Sequence, residues 1–188
     1  MRKEAERNME KRCVQAPAAV PSVRMLALAG ALAALSCAAT LTVAVPTPTG
    51  GYVNPGDAVV LLGAYVLGGG WGAAAGALGP ALADLLGGYG IYAPATLVIK
   101  GLMALAAGKL YRRARGKIWA VAVCGAAAEC IMVAGYWLYD ALLLGSLAAG
   151  AAGVPGNLIQ GAFGAACAAI LAAALKKNAW ARRAFPSL

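Results

Sequence analysis

The sequence predicts an all-α integral membrane protein: a six-transmembrane-helix bundle with both termini cytoplasmic. Three observations lead there. The 188 residues are 62% hydrophobic and only 12% charged, whereas a soluble domain carries about 25% charge. Fifteen of the 16 Lys and Arg residues fall into three clusters: Arg2, Lys3, Arg7, Lys11, Arg12 and Arg24; Lys109, Arg112, Arg113, Arg115 and Lys117; Lys176, Lys177, Arg182 and Arg183. The stretches between the clusters are almost uncharged and rich in Ala, Gly and Leu. Lys and Arg collect in cytoplasmic loops, so the clusters set a topology.

Residues 1–23 form a basic cytoplasmic arm, either a surface-lying helix or a tail. The first span is 25–45. Its uncharged run is longer than the ~7–15 residues of a signal peptide's apolar region, and matches the ~20 that cross a bilayer. It ends at VPTPTGGYVNPGD, a Pro- and Gly-rich outer loop. Residues 58–83 carry no charge. They read as one long helix or as two broken at Gly68–Gly69–Gly70. A single helix would place the Arg112–Arg115 cluster outside, so the charge bias selects the break. The spans are then 25–45, 57–69, 71–87, 94–111, 118–142 and 154–175. Residues 24–176 make the membrane domain and 177–188 a short basic cytoplasmic tail. The outer loops 46–56, 88–93 and 143–153 contain no Lys or Arg. The second helix is short for a ~30 Å hydrocarbon core, which fits a helix partly buried in protein.

Composition excludes several functions. The net charge of +9 comes from clusters separated by apolar spans, not from one basic face, so nucleic acid is not the partner. The chain has no His and five Cys without CxxC spacing, which disfavours zinc and His-based catalysis. No cofactor is implied. Neither GGGWG nor GVPGN carries the Lys of a phosphate-binding GxxxxGK[ST] loop, so any ATPase belongs to a partner.

Ionisable groups inside spans are costly and mark cavities or pairs. Asp57 starts the second helix, where a carboxylate serves as N-cap. Asp84 lies near the outer end of the third. Pro94 suits the first turn of the fourth helix, placing Lys100 roughly 9 Å below the outer surface. Glu129 lies roughly 16 Å in from the cytoplasm on the fifth. The two meet at a similar depth, so a Lys100–Glu129 pair is expected, serving structure or a ligand. Glu129, Val133, Tyr136 and Asp140 share a face of the fifth helix. Asn157, Gln160, Gly161 and Gly164 share one of the sixth; Tyr92, Thr96 and Lys100 line the fourth. These faces favour the outer half and predict a pocket for a small polar aromatic ring. On the first helix Ala27, Ala31, Ala34 and Ala38 share a face, for internal packing or for docking a second membrane protein.

GGYVNPGD, GPALADLL and PATLVIKG, in this order and spacing, resemble the substrate-binding S components of energy-coupling factor (ECF) vitamin transporters, of the riboflavin/pyridoxine/hydroxymethylpyrimidine type. The resemblance covers residues 24–176. It implies a multi-pass protein of the cell membrane, without enzymatic activity, that binds a water-soluble vitamin or precursor. It implies a transmembrane coupling (T) subunit and two ATPase subunits as partners, docked through Ala27, Ala31 and Ala34. It implies a gating loop at Thr47–Asp57 and ligand groups at Asn54, Asp84, Tyr92, Lys100, Glu129, Tyr136, Tyr139, Asn157 and Gln160. A stand-alone permease or an integral-membrane enzyme or assembly factor are the alternatives. Neither an internal repeat nor a catalytic motif supports them.

Overall fold

A computed structural model describes residues 22–114, 117–185 and 188. The basic arm, residues 1–21, lies outside them. The first helix, α1, spans Val23–Thr42. Ser22 caps it, accepting from the Met25 amide at 3.2 Å. A small antiparallel hairpin follows, pairing β1 (Val45–Pro46) with β2 (Tyr52–Val53). Its turn closes through the Thr47 amide to the Gly51 carbonyl at 2.9 Å. Gly50 takes the left-handed φ of 89° that a turn of this kind requires. Sequence alone read this stretch as loop; the structure forms a hairpin there.

Helices α2 (Gly56–Leu67) and α3 (Gly69–Leu86) are separated by the single residue Gly68. Its φ of 81° and ψ of 174° form a conformation open essentially to glycine alone. The break expected in the glycine run is therefore present. Ten of the 12 residues of α2 are buried. At ~1.5 Å per residue it is about 18 Å long. It needs no lipid-crossing length, because α1, α3, α4 and α7 surround it.

Pro94 sits in the first turn of α4 (Ala93–Arg113), where its missing N–H costs nothing. Near the inner end of α4, a Cβ on Gly108 would lie 2.8 Å from the Gly69 backbone. The absence of a side chain there lets α4 and the start of α3 touch. Helix α5 (Ile118–Leu144) ends at Gly145, again left-handed at φ 66°. A single turn, α6 (Leu147–Gly150), is capped by Ser146 and runs through a 3₁₀ turn into α7 (Val154–Lys177). A final short helix, α8 (Ala179–Ala184), is capped by Asn178.

The largest apolar core joins α2, α4, α5 and α7. Leu61, Tyr65, Met103, Tyr111, Val121 and Met132 are wholly enclosed there. Outward, Leu142, Ile159, Ile170 and Leu86 are mostly exposed, as expected of side chains that meet lipid. Among the described residues, four segments are long and apolar enough to cross a membrane: Val23–Thr42, Ala93–Arg113, Trp119–Leu144 and Leu147–Lys177. Six spans were expected; the expected helices are all present, but α2 is too short and α3 is not among the four.

Candidate ligand-binding site

Beneath the hairpin the ends of the helices part around a small polar crevice. Each element delivers its share. Thr40 comes from α1. The hairpin contributes Thr47, Thr49, Gly51 and Tyr52, and the turn after it Asn54. From α3 come Pro80 and Asp84; Tyr92 precedes α4, which adds Thr96 and Lys100. Tyr136 and Asp140 come from α5, Asn157 and Gln160 from α7.

The deepest feature is an ion pair between Lys100 and Asp57. Both are almost inaccessible to solvent. Asp57 Oδ2 also accepts from Gln160 Nε2 at 2.7 Å, so each carboxylate oxygen has a donor. Lys100 stands 5.4 Å from the centre of the Tyr136 ring, a cation–π contact. Gln160 turns its other end outward: its Oε1 accepts from the Asn54 amide at 2.7 Å. The turn below the hairpin is thus tied, through one glutamine, to the buried pair.

Two expectations are corrected here. Asp57 is not the N-cap of α2. Pro55 occupies that position without a side-chain bond, and Asn54 Oδ1 accepts from the Gly56 amide at 2.9 Å instead. Lys100 pairs with Asp57, not with Glu129. Depth along the helices placed Lys100 and Glu129 at one level, but α2 inserts its own carboxylate beside α4. Glu129 lies instead between α5 and α7, against Gly161 and Gly164. It borders a separate apolar crevice with Ala126, Cys130, Val133 and Leu158. Both its oxygens are buried without a hydrogen-bond partner.

Nearer the surface, two phenols bridge the hairpin region and the helices. Tyr52 donates to Asp84 Oδ1 at 2.6 Å and packs 4.3 Å from Tyr89. Tyr92 hydrogen-bonds Asp140 Oδ1 at 2.9 Å and the Thr49 carbonyl at 3.1 Å. Burial, then the Asp84 bond, holds the Tyr52 phenol above its ordinary pKa. Burial and the Asp140 bond push Tyr92 up to about 12. Both stay protonated donors at neutral pH. Thr96 Oγ1 and the Tyr136 hydroxyl bond each other at 2.8 Å.

Of the nine residues expected to contact ligand, Asn54, Asp84, Tyr92, Lys100, Tyr136, Asn157 and Gln160 line this crevice. Glu129 does not, as described. Tyr139 also stands outside; its hydroxyl donates to the Ile91 carbonyl and its ring meets Tyr92 edge-on at 5.5 Å. Unforeseen as ligand groups were Tyr52, Asp140 and the threonines 40, 47, 49 and 96. Asp140 and Thr96 lay on faces already singled out by period. The hairpin residues had no period to reveal them. Ala27, Ala31 and Ala34 are exposed on α1, on the side away from buried Ala29, Ser36 and Thr40.

The family model for the ECF-type riboflavin transporter S component matches residues 20–177. Among solved structures, the S component of a bacterial ECF transporter superposes with a TM-score of 0.64 at 16% identity. The match covers 82% of this chain and 96% of that one, a likeness that establishes a shared fold. No curated protein matches the chain.

Proposed function

This chain belongs to the ECF-type riboflavin transporter S component family, and we propose that its crevice captures a water-soluble vitamin or precursor from outside the cell. As a member it is a multi-pass membrane protein, the substrate-binding subunit of a transporter rather than an enzyme. The ligand is a pyridoxine-, hydroxymethylpyrimidine- or riboflavin-like ring. It enters under the 45–53 hairpin, which acts as the lid. The observation that carries this reading is the polar crevice itself. Thirteen polar or charged side chains line it in an otherwise apolar bundle. Nine of them (Thr40, Thr49, Asp84, Tyr92, Thr96, Lys100, Asp140, Asn157 and Gln160) are buried. Such groups are expensive in a membrane protein unless they serve a ligand or a pair.

In this reading both termini are cytoplasmic and α2 and α3 together make two passes, as the three basic clusters require. The loaded protein docks through α1 on a T subunit. Two ATPase subunits there supply the energy that releases the vitamin inward. The Asn54–Gln160–Asp57 chain of hydrogen bonds would sense whether the hairpin is seated.

Calorimetric titration of the detergent-purified protein with pyridoxine, hydroxymethylpyrimidine, riboflavin and thiamine tests the proposal. Saturable binding of at least one at submicromolar concentration is expected. Asn157→Ala should weaken it on the order of tenfold, the size of one lost polar contact in a closed site. A folded sample that binds none of the four overturns the reading.

A further inference from the structure

Negative side chains outnumber positive ones on the walls of the crevice. Three charged side chains line it: Asp84, Asp140 and Lys100. The lysine is already neutralised by Asp57, directly behind it, and Asp57 is satisfied on both oxygens. What lines the crevice is therefore a pair of aspartates, one from α3 and one from α5. Each receives one phenol, Tyr52 on Asp84 and Tyr92 on Asp140. Asp84 is 3% exposed and its Oδ2 has no hydrogen-bond partner. On the α1 wall the Thr40 hydroxyl is equally buried and equally unpartnered.

A buried carboxylate oxygen without a donor is costly, because water has been removed and nothing replaces it. Native proteins leave few such atoms, and one on a cavity wall asks for an explanation. Tyr52 cannot supply a second donor, since its single O–H is committed to Oδ1. Lys100 directs its ion pair to Asp57. A ligand in the crevice can supply the donor that Oδ2 lacks. A ligand with an N–H group would give Asp84 Oδ2 its bond. A positive charge would be further stabilised by the aspartate pair. A phosphate or carboxylate would instead face two aspartates with no free cation on the wall. Like charges at close range inside a low-dielectric site are strongly unfavourable.

Resting on the S-component reading above, we infer that this site selects a heteroaromatic ring bearing an amino group or a protonated ring nitrogen, and rejects acid-bearing rings. Asp84 Oδ2 is the acceptor for that nitrogen. Asp140, also on the wall, adds to the negative field. Tyr136, beside Lys100, offers an aromatic edge to the ring.

Matched ligand pairs test this on the full chain in detergent, by calorimetry. Pyridoxamine is set against 4-pyridoxic acid, thiamine against thiamine monophosphate, and riboflavin against its monophosphate. The member without the added acid group should bind at least about tenfold more tightly than its acid partner. Asp84→Asn should lower the affinity for pyridoxamine or thiamine on the order of tenfold or more, as for a lost charge-assisted bond. Riboflavin carries an imide N–H but no cationic or amino group, so it should bind more weakly than pyridoxamine or thiamine. Equal affinity for acid partners overturns the inference, even if Asp84→Asn fails to fold. So does a folded Asp84→Asn variant with unchanged pyridoxamine and thiamine affinity. Tight riboflavin binding indifferent to Asp84→Asn would keep the S-component reading and remove this one. Silence from every ligand on a folded sample would remove both.

Discussion

Lys100 shows how a single residue organises the interior. An ammonium and a carboxylate taken out of water hold together only if each finds its partner and its hydrogen bonds. Asp57 has both, from Lys100 and Gln160. Lys100→Ala would strand the carboxylate at the buried end of α2, a loss of about 3–5 kcal/mol by analogy with other broken buried pairs. The melting temperature of the detergent-purified protein should fall clearly, and Asp57→Asn in the same chain should restore part of it. Glu129→Gln provides the contrast. That side chain has no partner to strand, so the neutral variant should melt at the wild-type temperature or above. A Glu129→Gln protein as unstable as Lys100→Ala would mean that Glu129 belongs to the same charge network. Sequence reasoning raised a Lys100–Glu129 pair from matching depth, beside a polar ligand for either group. The carboxylate was the wrong one because rise per residue gives level, and only packing gives neighbours.

Among the elements, the helix break was legible and the hairpin was not. Three consecutive glycines followed by the requirement to return the Arg112–Arg115 cluster inside left little choice about α2 and α3. The break itself consists of one residue, Gly68, at φ 81° and ψ 174°. Any Cβ there is strained by about 1–3 kcal/mol. Gly68→Ala should lower thermal stability by that order, while Gly70→Ala, with open space around its Cβ position, should be nearly neutral. Equal effects would show that the run acts as a flexible stretch and not as a hinge with one required conformation. The hairpin, by contrast, has two-residue strands. That is too short for alternation to register, and its turn sequence reads only as a loop. The residues it brings to the crevice, Tyr52 above all, were lost with it. The turn at Leu147–Gly150 escaped for the same reason, although Ser146 before it is a recognisable cap.

At the level of the whole molecule the outer face of α1 has no use inside the bundle. Of the four membrane-crossing segments, Val23–Thr42 buries the smallest share of its length. It leans on α3 and α2 through Ala29, Ser36 and Thr40, while Ala27, Ala31, Ala34 and Ala38 stay exposed. The small residues therefore are not explained by packing within this chain, which was one of the two readings the sequence allowed. In lipid, a stripe of small side chains gains most when another helix lies against it, because close backbone approach replaces the hydrophobic force that water would supply. Bulk on that stripe should then act on assembly and leave the crevice alone. Ala31→Trp is expected to bind vitamin in detergent as the wild type does, since none of the crevice residues lies on that face. Reconstituted with a T subunit and ATPases, the same variant should lose most ATP-dependent uptake and co-purify poorly with the T subunit. Normal uptake by Ala31→Trp would move the docking surface to another helix. Weakened binding in detergent would instead tie α1 to the ligand site through Thr40, the one α1 residue that reaches the crevice.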